Sequence, residues 1–134
     1  MADTVAFELV APERLLLSEQ VEMVVVPGSE GYFGVLPGHA PLISTLNPGV
    51  IDVYKGGQIT ERIFVAGGFA EVTPERCTVL ADQATPVKEL DRSRIEAALK
   101  NAREDVGIAR DDKARVAAEE QVAVLEAQLQ ALAA

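Results

Sequence analysis

The chain has no tryptophan, one cysteine and one histidine, and aromatic residues make up only 4% of its 134 positions. A single cysteine, Cys77, excludes an intrachain disulfide. Its setting, Arg76-Cys77-Thr78-Val79-Leu80, reads as a small buried apolar residue in a strand, and a lone thiol suits a reducing compartment. One cysteine and one histidine (His39) fall short of the three or four ligands of a structural zinc site. The acidic stretch Asp105 to Asp112 lacks the alternate spacing of a calcium loop, so no metal site is expected. A nucleophile triad would have to recruit His39 from a turn between Pro37 and Pro41, and neither Ser29 nor Ser44 lies in a strained elbow motif. Gly28, Gly31 and Gly34 lie in a turn between strands and not at a strand-to-helix junction, so turn geometry accounts for them better than a phosphate loop does. The chain is therefore expected to be non-catalytic and to require no cofactor.

Positive charge is also scarce. Twelve Lys and Arg face twenty-one Asp and Glu, a net charge of −9. A chain so acidic, with no basic stripe, repels nucleic acid and anionic membrane surfaces. Its wholly apolar runs are a few residues long, far below the roughly 20 that span a bilayer. Met1-Ala2-Asp3-Thr4 has neither the basic nor the apolar region of a secretory signal. The expected location is the cytosol, without membrane insertion.

What is present falls into two parts. All seven prolines lie at or before Pro86, as do the six Phe and Tyr residues and every glycine but Gly107. This part alternates with period two: Val5, Phe7 and Leu9; Val21, Met23 and Val25; Ile51 and Val53; Ile63 and Val65. Pro27-Gly28, Pro37-Gly38, Pro48-Gly49, Gly56-Gly57 and Gly67-Gly68 punctuate the runs. Short strands at this spacing, with no helix between them, predict an antiparallel sandwich or flattened barrel. The remainder is rich in alanine and follows the helical period. Ile95, Ala98, Leu99, Ala102 and Val106 form one stripe, with Asp91 or Ser93 as cap, a Ser93-x-x-Glu96 box and Gly107 as the stop. Ala114, Ala118, Val122, Leu125, Leu129 and Leu132 form a second, capped by Asp111 or Asp112. A connection of about four to six residues predicts an antiparallel hairpin. The expected fold is α+β: a sandwich over residues 1–86 and a two-helix hairpin over 90–134. The acidic charge lies mainly in the first part, with 4 basic and 11 acidic groups in residues 1–87 against 8 and 10 in the rest.

One stretch is more specific than any of these patterns. Pro27-Gly28-Ser29-Glu30-Gly31-Tyr32-Phe33-Gly34-Val35-Leu36-Pro37-Gly38-His39-Ala40-Pro41-Leu42-Ile43 resembles the signature of ATP synthase epsilon subunits. Leu46-Asn47-Pro48-Gly49-Val50 and Val65-Ala66-Gly67-Gly68-Phe69-Ala70-Glu71-Val72 resemble that family's following turn and strand, in the same order. The resemblance spans essentially the whole chain. It implies a sandwich of about ten strands followed by a helical hairpin, in a rotor subunit that binds the gamma subunit and the ring of c subunits. The location it implies is the cytoplasmic face of the bacterial inner membrane, held there peripherally by the complex. The tip carrying Glu30, Gly31 and His39 would lie near the ring. When extended, the hairpin would reach the alpha/beta hexamer and block hydrolysis, with Arg103, Arg110, Lys113 and Arg115 meeting acidic residues there. Some relatives bind ATP at the hairpin through an Ile/Leu-Asp-x-x-Arg-Ala motif; Leu90, Asp91 and Arg94 match it, and Ile95 departs from it. The alternative reading is a free-standing sandwich module whose helical tail docks on another protein.

Overall fold

A computed structural model describes residues 3–12 and 14–133. It divides into two compact units, Met1–Lys88 and Glu89–Ala134. The first is built from eight strands: β1 (Val5–Ala11), β2 (Arg14–Val21), β3 (Met23–Gly28), β4 (Gly31–Val35), β5 (Leu42–Thr45), β6 (Gly49–Lys55), β7 (Gln58–Val72) and β8 (Arg76–Pro86). Their order is β2-β1-β8-β7-β6-β3-β4, with β5 also paired to β7.

The alternating residues do what period two requires. Val5, Phe7 and Leu9 are fully buried, and Ile51 and Val53 join them in one core with Val21, Val65, Val72, Cys77 and Val79. Aliphatic side chains thus fill a sandwich that has few aromatics. In one place the expected phase is wrong. Val24 and Val26 are fully buried in β3, and Met23 and Val25 are only partly covered. β2 ends at Val21, and the chain bends at Glu22, whose amide donates to the Tyr54 carbonyl at 2.9 Å. The bend lets β3 start on the other phase, so a single alternation cannot run through it.

Among the described residues the strands number eight, not about ten, because β7 and β8 run long. Gly67-Gly68 does not turn the chain but lies inside β7. Both glycines adopt positive φ, +73° and +97°, while the pairing with β8 keeps its register on either side, Ala66 opposite Gln83 and Gly68 opposite Ala81. Before this kink β7 pairs with β6; after it, Phe69 to Val72 pair with β5. One strand therefore serves two neighbours on the same edge. One ladder of the antiparallel sandwich is parallel. β1 runs parallel to β8, with Ala6 opposite Arg76 and Val10 opposite Leu80.

The second unit is the hairpin of α1 (Arg92–Ile108) and α2 (Asp112–Ala133). Ile95, Leu99, Ala102 and Leu125 form its buried centre, flanked by Leu90, Ala98, Val122, Leu129 and Leu132. Asp91 is the first cap, its carboxylate accepting from the Arg94 amide at 3.2 Å. Asp111 is the second, accepting from the Ala114 amide at 2.7 Å. Gly107 does not end α1. The helix continues to Ile108 and stops where Ala109 turns extended, which leaves three connecting residues, 109–111. Replacing Asp91 by alanine is expected to cost about 1 kcal/mol of hairpin stability, read as faster amide exchange in the first turn of α1 with the sandwich amides unchanged.

Candidate functional site

No group of three or more His, Cys, Asp or Glu among the described residues is arranged to hold a metal ion. Cys77, the one thiol, is fully buried, and burial pushes its pKa up to about 12. It is the opposite of an activated nucleophile. The features able to act are surfaces.

The first lies at the β3–β4 hairpin. Gly28 pairs with Gly31, so Ser29 and Glu30 are the two loop residues, and Gly31 takes φ +127° with open space around it. The loop is tied down at several points. The Ser29 amide donates to the Thr45 carbonyl at 2.9 Å, and the Asn47 amide to the Pro27 carbonyl at 2.9 Å. The Asn47 carboxamide donates to the Gly28 and Ser29 carbonyls at 3.3 and 3.4 Å. Glu30 therefore projects, exposed, from a fixed turn. His39 lies beyond the other end of β4, in a turn whose Gly38 amide donates to the Pro74 carbonyl at 2.7 Å. The histidine and the acidic turn are linked through Phe33, whose ring is 6.4 Å from the His39 ring between centroids and lies against Gly28. Between the hairpin and β5 runs a groove of about 620 Å³ lined by residues 28–33 and 42–45.

The second surface lies on the outer side of the strands whose inner side forms the core. Leu15 of β2, Val10 of β1, Leu80 of β8 and Phe69 of β7 stand opposite one another in register. Leu15 is 55% exposed, and Leu80 and Phe69 are 39% exposed. Sequence reasoning missed this row. Each residue alone looks like an ordinary exposed apolar residue, and only the ladder lines them up.

The third is the bend of the hairpin. Ile108 and Val116 are 74% and 50% exposed there. Arg110, Lys113 and Arg115 accompany them, with Arg115 paired to Asp112. Arg103 does not join this group. It pairs with Glu126 across the hairpin at 3.5 Å, about 10 Å of helix before the bend. Leu90, Asp91 and Arg94 have local work. Leu90 packs on the helical core, Asp91 caps α1, and Arg94 pairs with Asp91 at 3.8 Å.

The family profile described as ATP synthase, Delta/Epsilon chain, beta-sandwich domain matches residues 4–87. The chain belongs to this family. Its similarity to curated relatives extends past the sandwich and through the helices. It is 53% identical to the ATP synthase epsilon chain of Rhodospirillum rubrum over 131 residues, which cover 98% of each protein. It is 50% identical to the ATP synthase epsilon chain of Paramagnetospirillum magneticum, covering 99% of this chain and 100% of that one. Among solved structures, a chain of the Euglena gracilis mitochondrial ATP synthase (OSCP/F1/c-ring, rotational state 1) superposes with a TM-score of 0.86 at 27% identity. The match covers 98% of this chain and 83% of that one. A chain from the central stalk and c-ring of the Tetrahymena thermophila enzyme shares the fold at a TM-score of 0.65 and 14% identity, over 95% of each. As an ATP synthase epsilon-family member, the chain has the family's layout of a sandwich followed by two helices. No helix among its described residues is long and apolar enough to cross a membrane.

Proposed function

We propose that this chain is a non-catalytic rotor subunit of a bacterial proton-translocating ATP synthase, attached by its sandwich and regulated through its hairpin. The observation that carries the reading is similarity at about half identity along the entire length of proteins named ATP synthase epsilon chain, hairpin included. On this reading the chain sits peripherally at the cytoplasmic face of the inner membrane, held by its partners. The row Leu15, Val10, Leu80 and Phe69 suits an apolar contact with the gamma subunit, since a contiguous apolar stripe on an otherwise acidic body is an unsatisfied surface until something covers it. The turn of Glu30 and Gly31, with His39 behind Phe33, faces the c ring. A rim ion pair from Glu30 contributes only about 0.2–1 kcal/mol, so packing around it must supply the rest of the grip.

The hairpin is the regulatory element. Its centre rests on Ile95, Leu99, Ala102 and Leu125, a far smaller buried set than the sandwich core, so separating the helices costs far less than opening the sandwich. Once extended, Arg110, Lys113 and Arg115 would meet acidic residues of the alpha/beta hexamer and stop rotation in the hydrolysis direction. The test compares ATP hydrolysis by the reconstituted soluble complex carrying the full chain with one carrying a truncation after Val87. The truncated chain is expected to co-purify with gamma and to raise hydrolysis several-fold. Unchanged hydrolysis would end the brake proposal and leave coupling alone. Failure of both forms to bind gamma would overturn the rotor reading.

A further inference from the structure

The two helices of the hairpin share one charged contact. Arg103 of α1 meets Glu126 of α2 at 3.5 Å, and among the described residues this is the one ion pair between the helices. The other hairpin pairs, Arg94 with Asp91 and Arg115 with Asp112, are local, three residues apart. Neither partner of the cross-helix pair has an alternative on its own helix. The positions three and four from Glu126 are Val122, Ala123, Leu129 and Gln130, and α2 carries no Lys or Arg after Arg115. Around Arg103 the same positions are Leu99, Lys100, Val106 and Gly107, with no carboxylate. Elsewhere on α1 the charges alternate at a spacing of four, through Arg92, Glu96, Lys100 and Glu104, a row that balances itself. The pair also sits over the seam. Ala102 and Leu125, its neighbours in sequence, belong to the buried centre, and Arg103 lines a groove with Leu99 and Leu129.

The two side chains are 60% and 55% exposed, so their attraction changes an equilibrium by a factor of roughly 1.4 to 5. That is too little to hold a core shut, and enough to bias two arrangements that lie close to balance. It is also exclusive, because a guanidinium engaged by Glu126 is withdrawn from other carboxylates. With the helices together, Arg103 stands apart from the cations of the bend. With α2 gone, it becomes an unpaired cation on α1, about 10 Å of helix before them. We infer that Arg103 and Glu126 form a latch across the hairpin, which biases it closed and hands Arg103 to a carboxylate of the partner surface once α2 has moved away. The inference rests on the reading that the hairpin opens to brake hydrolysis. By linkage, a surface that offers this carboxylate favours the open latch, and the closed latch weakens that contact by the same factor.

Amide hydrogen exchange across α1 and α2 of the full chain reads the separation. Glutamine replaces either residue with little change in helix propensity. At low salt, Glu126→Gln and Arg103→Gln are each expected to speed exchange at the hairpin centre about two- to fourfold, and the double variant no more than either alone. The exchanged pair, Arg103→Glu with Glu126→Arg, is expected to restore the wild-type rate, and high salt to bring all the rates together. Additive effects of the two glutamines, or wild-type rates in both, would refute the latch, and the brake would stand if truncation after Val87 still raised hydrolysis. Hydrolysis by the reconstituted soluble complex tests the second role of Arg103. Glu126→Gln frees the arginine and is expected to lower hydrolysis about twofold. Arg103→Gln removes latch and cation together and is expected not to lower it. Equal lowering by both would overturn the transfer of Arg103 to a partner carboxylate. If the exchange results hold while neither substitution nor truncation alters hydrolysis, the brake reading and that second role fall, and the latch itself is upheld.

Discussion

Replacing Gly68 by alanine is expected to remove about 4 kcal/mol or more of folding stability, enough to leave the sandwich largely unfolded at ordinary temperature. Two costs combine. Gly68 has φ +97°, a conformation that costs an L-residue roughly 1–2 kcal/mol. An added Cβ would also stand 2.9 Å from Ala81 Cα and well inside contact distance of the Leu80 carbonyl oxygen. Both obstacles belong to the backbone of β8, so relief requires prising β7 from β8 at the centre of the molecule. The Gly68 carbonyl also accepts from the Leu46 amide at 3.1 Å, and any shift disturbs that link to β5. Total stability of a domain this size is on the order of 5–15 kcal/mol, so the substitution takes a large share. Gly31→Ala provides the contrast. Its φ is +127°, but nothing lies within 4 Å of the added carbon; only the conformational cost of roughly 1–2 kcal/mol applies. Urea unfolding of the two variants beside wild type separates the costs, and equal midpoints for Gly68→Ala and Gly31→Ala would refute the clash.

Cys77 is expected to resist alkylation in the native chain by at least about a thousandfold relative to the unfolded chain at pH 8, because it is reached only when the core opens. It sits in register between Phe7 of β1 and Val72 of β7, with none of its surface exposed. The same burial makes stability depend on pH. The thiol rises from its ordinary 9.0 to about 12 when folded. Above pH 9 the unfolded chain releases this proton while the folded chain keeps it, so the folded state loses ground. The contribution is intact below about pH 9 and falls as pH rises towards 12, by roughly 1.4 kcal/mol per pH unit. Other groups titrate in this range, so the comparison is with Cys77→Ala. From pH 8 to 10.5, wild type should lose about 2 kcal/mol more than the variant. Parallel losses would show that the thiol ionises freely in the folded chain.

The parts of this fold that could be read directly are those that follow from local period. Val5, Phe7 and Leu9 face inwards because alternation permits nothing else, and the helical stripe from Ile95 to Leu132 met itself across a short bend. What alternation does not encode is the neighbour. A strand that buries one face looks the same whether its partner is parallel or antiparallel, so the β1–β8 ladder left no trace in the residues. Gly67-Gly68 looked like a turn because two glycines do make turns. Here their positive φ bends a strand without reversing it, and only the uninterrupted register with β8 tells the two cases apart. Of the surfaces, the Glu30 turn was legible from Pro27-Gly28 and Gly31. The hydrogen bond from the Val50 amide to the Tyr32 hydroxyl in the same groove was not, since Gly49 and Val50 are brought beside Tyr32 only by tertiary folding. The bend cations were legible as a group, except that Arg103 is drawn off to Glu126.

The parallel ladder also bears on the order in which the protein assembles as it is made. β1 is synthesised first, yet one of its two edges waits for β8, seventy positions later, where Ala6 meets Arg76. Pairing over such a separation is slow to nucleate. Until β8 emerges, the growing chain carries β1 with one side open, a template for unwanted pairing with nascent neighbours. The helices follow β8 and contribute no strand to the sandwich, so the sandwich can be complete while the hairpin is still leaving the ribosome.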